Sequence, residues 1–157
     1  MSVSLKTVSN GIQKNFEGML KRENAMQSFF SRNIYAMYQN AQRKRWETEN
    51  FSEGRGWEPL EPRYADWKRS KFAAYEGSGT KMLIATGKLY KAVIGPGSGQ
   101  KKVVTNKGIT ISISTPYAWP VDAVRPFTEW SEKTAHEMMK AISDFIFKNI
   151  QRDITKL

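Results

Sequence analysis

Trp57-Glu-Pro-Leu-Glu-Pro-Arg-Tyr-Ala-Asp-Trp-Lys68, resumed after a gap as Leu83-Ile-Ala-Thr-Gly-Lys-Leu89, separates a helical first third from a strand-like second half. Glu58 stands before a proline and is pushed to the extended region, so Trp57–Leu60 is a short extended segment. Pro62 suits the first turn of a helix, where its missing N–H costs nothing. Tyr64, Trp67, Lys71 and the segment 72–75 continue that helix until Glu76-Gly-Ser-Gly79 ends it. Thr86-Gly87 supplies a tight backbone turn, since glycine tolerates angles that other residues resist. Leu89–Ile94 then predicts a strand, directly or after one helical turn capped by Thr86.

Upstream, Asn10 with Gln13 and Asn24 with Gln27 have the spacing of helix N-cap boxes. Ile12, Phe16, Met19 and Leu20 form one apolar stripe, and Met26, Phe29, Phe30, Ile34, Met37, Tyr38 and Ala41 form a second. The two are nearly in phase, so one long helix kinked near Asn24 and two separate helices fit equally. Arg43-Lys44-Arg45 falls where a helix C-terminus favours cations. Asn50–Gly56 is a loop by its glycine and polar content.

Downstream, Lys101–Asn106 and Ile109–Ser114 flank Lys107-Gly108, a hairpin signal. Ile109, Ile111 and Ile113 alternate with Thr110, Ser112 and Ser114, the pattern of an antiparallel strand with one face buried. The stretch 115–125 is irregular and rich in aromatics and prolines. Thr128 is positioned to cap a last helix, with Glu129 and Glu132 favourable in its first turn. Ala135, Met138, Met139, Ile142, Phe145, Ile146 and Ile150 give that helix a broad apolar face.

The expectation is one α+β domain. A small antiparallel sheet of three to four strands, including a 101–114 hairpin, packs against long N-terminal and C-terminal helices. The helical region covers about 10–46, the Trp-Pro-Leu loop and its helix 57–75, the sheet 89–114 and the last helix 128–153. A chain of 157 residues can bury a core without staples, and there is no cysteine. No apolar run approaches the roughly 20 residues a bilayer crossing needs, and Met1–Lys6 lacks a signal-peptide core.

The formal charge is +10 and the pI about 9.8, which favours polyanions. From Phe127 onward acids and bases balance.

Catalytic and metal-binding sets are absent from the pattern. His136 stands without cysteine or a second histidine to complete a ligand set and reads as a solvated helix residue. Gly95-Pro-Gly-Ser-Gly-Gln-Lys101 lacks the phosphate-loop spacing and precedes a strand rather than a helix. Glu58 and Glu61 flank a loop and read as solvated carboxylates. No enzyme activity and no cofactor are expected. Lys101, Lys102 and Lys107, with Lys88 and Lys91 just before, fit a solvated strand edge and a phosphate-neutralising surface equally well. Trp57 and Trp67 are expected in the core; Trp119 and Trp130 fit either the core or a subunit contact.

The order of features resembles a known family. Gly54-x-Gly-Trp-x-Pro-Leu60 is followed by Tyr64 and Trp67-Lys68. Leu83-Ile-Ala-Thr-Gly-Lys-Leu89 comes next, then a hairpin, Pro116-Tyr117-Ala118, and Arg125-Pro126-Phe127 before the terminal helix. This is similar to the phage virion-morphogenesis family, the tail-completion or head–tail joining proteins of tailed bacteriophages. The resemblance runs from about Ala25 to the end. It departs where the family often has His-x-x-Gly, for Trp119-Pro-Val-Asp122 stands there instead.

The resemblance implies structural roles for Trp57, Leu60, Lys68, Thr86, Gly87, Leu89, Tyr117, Arg125 and Pro126. Trp57, Leu60 and Leu89 would pack the core, and Arg125 would hold the last helix or a neighbour through an acidic partner. It further implies a ring, commonly a hexamer, between the tail-tube protein and the head connector, assembled in the host cytoplasm and carried in the virion. Genomic DNA would pass through the lumen without sequence specificity, past Lys101, Lys102 and Lys107. Trp119 and Trp130 are the candidate subunit contacts. The alternative from another class is a small basic nucleic-acid-binding module that does not read sequence.

Overall fold

The computed structural model describes residues 18, 21–75, 81–95 and 99–154. One continuous helix, α1, runs through 21–47. It is α-helical over 21–29, π-helical over Phe30–Ile34 and α-helical again over Tyr35–Glu47. There is no second start at Asn24, which lies inside the helix, and Gln27 donates to Val104 O instead of closing a cap box. The first predicted stripe, Ile12 to Leu20, lies outside the described residues. Ile34, Tyr35, Tyr38, Gln42, Arg45 and Trp46 recur at three- and four-residue steps and form the buried face. The helix stops where Glu49 and Asn50 take left-handed angles, φ 49° and 74°.

A single 3-10 turn, Phe51–Glu53, leads to the extended Trp57–Leu60 segment. Helix α2, Pro62–Lys71, has its proline in the first turn as expected, and Glu61 caps it by accepting from Arg63 N and Tyr64 N. The two carboxylates of this loop thus differ, for Glu61 is a cap.

Helix α3, Lys88–Ile94, stands where a strand was expected. The periodicity of a short apolar run cannot separate the two. Here Leu89, Ala92 and Val93 turn to one buried side at helical spacing. The carbonyls that a short helix leaves unpaired find side-chain donors. Tyr38 Oη reaches Val93 O at 2.8 Å, Gln39 Nε2 reaches Ile94 O at 2.7 Å, and Gln100 Nε2 reaches Ala92 O and Val93 O. Gly87, not Thr86, occupies the cap position, with φ 73° and no side-chain bond.

Strands β1, Gln100–Thr105, and β2, Gly108–Ile113, form an antiparallel hairpin. Among the described residues the sheet has these two strands, not three to four, because 88–94 joined the helices. Thr105 pairs with Gly108, so the turn is Asn106-Lys107, one residue earlier than the sequence suggests. Gln100, Lys102 and Val104 share the inner face with their partners Ile113, Ile111 and Ile109. Helix α4, Ala118–Val124, fills part of the stretch expected to be irregular.

Helix α5, Glu132–Ile154, closes the described chain. Its cap is Ser131, whose Oγ accepts from Thr134 N, rather than Thr128.

Two apolar clusters result. One gathers Trp46, Trp57, Met82, Ile84, Leu89, Val93, Ala118 and Phe127, with Leu60 packed against it. Trp46 sits at its centre and meets Trp57, Tyr90 and Phe127 edge-on at 5.4–5.9 Å between ring centres. The other gathers Phe29, Phe30 and Ile34 with Val104, Ile109, Ala141, Ile142 and Phe145. Phe29 stacks on Phe145 at 4.1 Å. Among the described residues no helix is long and apolar enough to cross a membrane.

Candidate functional site

The two motif stretches meet. Trp57 Nε1 donates to Pro126 O at 2.8 Å, and Arg125 Nε donates to Glu58 O at 3.1 Å. Arg125 Nη2 adds a longer contact to Pro59 O. Residues some 67 positions apart are thereby laced backbone to side chain. Arg125 was expected to find an acid; it takes carbonyls, because the extended Trp57–Leu60 segment presents its carbonyls unpaired toward it. Trp57 and Leu89 are buried and Leu60 half-buried, as their place in the core required.

The 125–131 loop is held from three further sides. Asp122 accepts from Phe127 N, Thr128 N and Thr128 Oγ1. Gln42 Nε2 reaches Phe127 O at 2.9 Å. Arg45, which is 2 % exposed, donates to Phe127 O and Glu129 O. Its guanidinium lies 3.5 Å from Glu53 and 5.2 Å from the centre of the Trp130 ring. Arg45 was read as one of three cations favoured by a helix C-terminus. It is instead the buried charge around which the loop closes, and the i, i+4, i+7 spacing of Tyr38, Gln42 and Arg45 was the available signal.

Burial draws the Arg45 guanidinium down from its ordinary value, and the carboxylates of Glu53 and Asp122 work against that draw. Burial pushes Glu53 up. The hydrogen bond from Ser131 N, the Arg45 charge and the Thr134 hydroxyl outweigh it, and the carboxyl ends below its ordinary value.

Lys68 is also buried. Its ammonium donates to Lys81 O, and burial lowers it from the usual amine value while Glu49 opposes the shift. Glu49 in turn accepts from Met82 N. This anchors the approach to Thr86-Gly87, where Thr86 is half-buried. Tyr117 is exposed at the start of α4.

The three hairpin lysines do not share a face. Lys102 turns inward over the Tyr35 ring, 4.2 Å from its centre, and that hydroxyl bonds Gln100. Strand alternation puts Lys101 on the opposite face, and Lys107 lies in the turn.

Trp67, expected in the core, is 51 % exposed. With Tyr64, Phe72 and Tyr75 it makes a row of rings, each 5.5–6.3 Å from the next, along and beyond α2. The helix exposes them because its buried contact is carried by Lys68. Trp130 is half-buried against Tyr38, and Trp119 is 81 % exposed.

Trp119 stands at the rim of an apolar groove of about 430 Å³. Its walls are Ile109, Ile111 and Ile113 of β2, Tyr38 of α1, and Trp130. His136 is exposed on α5, and among the described residues no cluster of acids and histidine suited to a metal occurs.

No family model, curated protein or solved structure matches this chain.

Proposed function

We propose that this chain is a structural subunit of a phage tail-completion or head–tail joining ring, which assembles with copies of itself between tail tube and head connector. The observation that carries the reading is the lacing of Trp57–Leu60 to Arg125–Phe127. Trp57 and Arg125, two of the residues on which the family resemblance rests, spend their side-chain donors on the backbone of the other stretch. The two stretches together form a platform. On that platform sits the groove of β2 isoleucines with Trp119 beside it, an apolar surface of the kind that marks association sites. A closed ring needs two different surfaces on each subunit that meet with a closing rotation. The groove with its Trp119 rim is one of them, and large aromatics dominate such contacts.

The test is light scattering of the full chain after size exclusion, alone and with tail-tube protein. A closed oligomer is expected, and Trp119→Ala is expected to dissolve it while leaving the melting temperature unchanged. A Trp119→Ala chain that still assembles and still caps the tube would overturn the reading.

The second reading, a basic module that binds nucleic acid through the hairpin, is favoured by the +10 charge. The opposed directions of Lys101 and Lys102 weaken it, because phosphate contacts must fall along one track.

A further inference from the structure

The rings of α2 stand in water with cations among them and nothing aliphatic beside them. Tyr64, Trp67 and Tyr75 are 46 % to 51 % exposed, and the half-buried Phe72 bridges Trp67 and Tyr75. Tyr64 and Trp67 lie 5.5 Å apart with their planes 30° from parallel. The helix itself, Pro62–Lys71, contains no Leu, Ile, Val or Met. It therefore has no aliphatic side to sink into lipid or to knit into a second helix.

The charges of α2 sort in the same direction. Glu61 spends both carboxylate oxygens on the amides of Arg63 and Tyr64. Asp66, about 100° round the helix from Trp67, is paired with Arg69 at 3.0 Å. Lys68 is buried and donates to Lys81 O. Arg63 and Lys71 are left, one turn before and one turn after Trp67. Both are exposed, and neither meets a carboxylate among the described residues. They stand about 12 Å apart along the helix axis. The ring face of α2 thus carries two uncommitted positive charges and no uncommitted negative one.

Flat rings interleaved with free cations fit a polyanion that exposes flat rings of its own. We infer that this face of α2 binds single-stranded nucleic acid without reading its sequence. Bases stack on Trp67 and Tyr64, and Tyr75 extends the platform. Arg63 and Lys71 neutralise phosphates on either side of the base held at Trp67. Every base has a face to stack, so the site is tolerant of sequence. A duplex keeps its bases stacked on one another and offers these rings nothing. The site therefore separates single strand from double, which lysines on a hairpin would not do. It uses neither the hairpin nor the Trp119 groove, and it stands or falls without reference to the ring.

The test is fluorescence anisotropy of a labelled oligothymidylate of about 15 residues, and of a duplex of equal length, with the full chain at low salt. Trp67→Ala is expected to weaken the single strand about tenfold or more and to leave the duplex and the melting temperature unchanged. Trp67→Phe, which keeps a ring, is expected to retain most of the affinity. Arg63→Gln with Lys71→Gln is expected to lower the slope of log K against log salt by about 1.4, two phosphates at about 0.7 each. Three results would overturn the inference: no single-strand binding at micromolar concentrations, an unchanged affinity in Trp67→Ala, or an equal loss for single strand and duplex in that variant. So would a Trp67→Ala chain that keeps the oligonucleotide but loses self-association or its hold on tail-tube protein, for the rings would then be a protein contact. Should Trp67→Ala fold poorly, Tyr64→Ala and the glutamine pair decide by the same readings.

Discussion

Arg45 shows how much one side chain can organise. It enters the core as a charge, and its cost is met by two carbonyls, the Glu53 carboxylate and the Trp130 ring. Arg45→Met should therefore cost about 3–5 kcal/mol in urea unfolding, since the buried Glu53 carboxylate loses its counter-charge. Arg45→Met with Glu53→Leu should cost clearly less than that single change; an equal or larger loss would mean the carbonyl contacts, not the ion pair, dominate. The depressed Glu53 carboxyl also fixes a pH dependence. Its stabilisation is complete above the unfolded value of 4.5 and is lost as pH falls through the lower folded value. Glu53→Gln should flatten the stability profile below about pH 4.5 relative to the natural chain, as read by melts at several pH values. At this scale the sequence was half legible. Trp57 and Leu89 announced themselves as core, but within a run of three cations only its place on the Tyr38–Gln42 face hinted that Arg45 is buried, and the carbonyls it donates to lie more than 80 residues on.

Among the elements, α3 is the instructive case. Tyr90, Val93 and Ile94 are residues that favour strands. The helix forms because Tyr38, Gln39 and Gln100 complete its carbonyls and because Gly87 turns the chain into it. Those donors lie elsewhere in the chain, so local propensity could not show them. A Cβ at Gly87 would meet nothing within 4 Å, so only its left-handed backbone resists substitution. Gly87→Ala should cost about 1–2 kcal/mol in thermal or chemical unfolding and Gly87→Asn noticeably less, as asparagine tolerates these angles. The hairpin, by contrast, was legible to within one residue, since strict alternation admits one pairing of faces. The helix starts were less so: asparagine at position 24 resembles a cap but is tolerated mid-helix, and Ser131 rather than Thr128 capped α5.

At the level of the whole molecule, charge and apolar surface are divided along the chain. If the hairpin meets DNA, binding should fall steeply with added salt and should not depend on sequence. Lys101→Glu should then weaken it more than Lys102→Glu, whose ammonium sits over Tyr35; equal effects in a salt titration would mean the hairpin face is not the contact. The proposed ring between tail tube and connector is not something composition or periodicity can register; in the sequence it rested on motif order. One architectural fact reaches further. Helix α1 is the spine of both apolar clusters, with Phe29, Phe30 and Ile34 in one and Trp46 in the other, and the π-helical turn at Phe30–Ile34 lies toward one end. The molecule should consequently open in stages. In hydrogen exchange, amides of α5 and the hairpin should trade for deuterium sooner than those of α3 and the Trp46 end. A loosened half could then rearrange onto a neighbour while the Trp46 half keeps its shape.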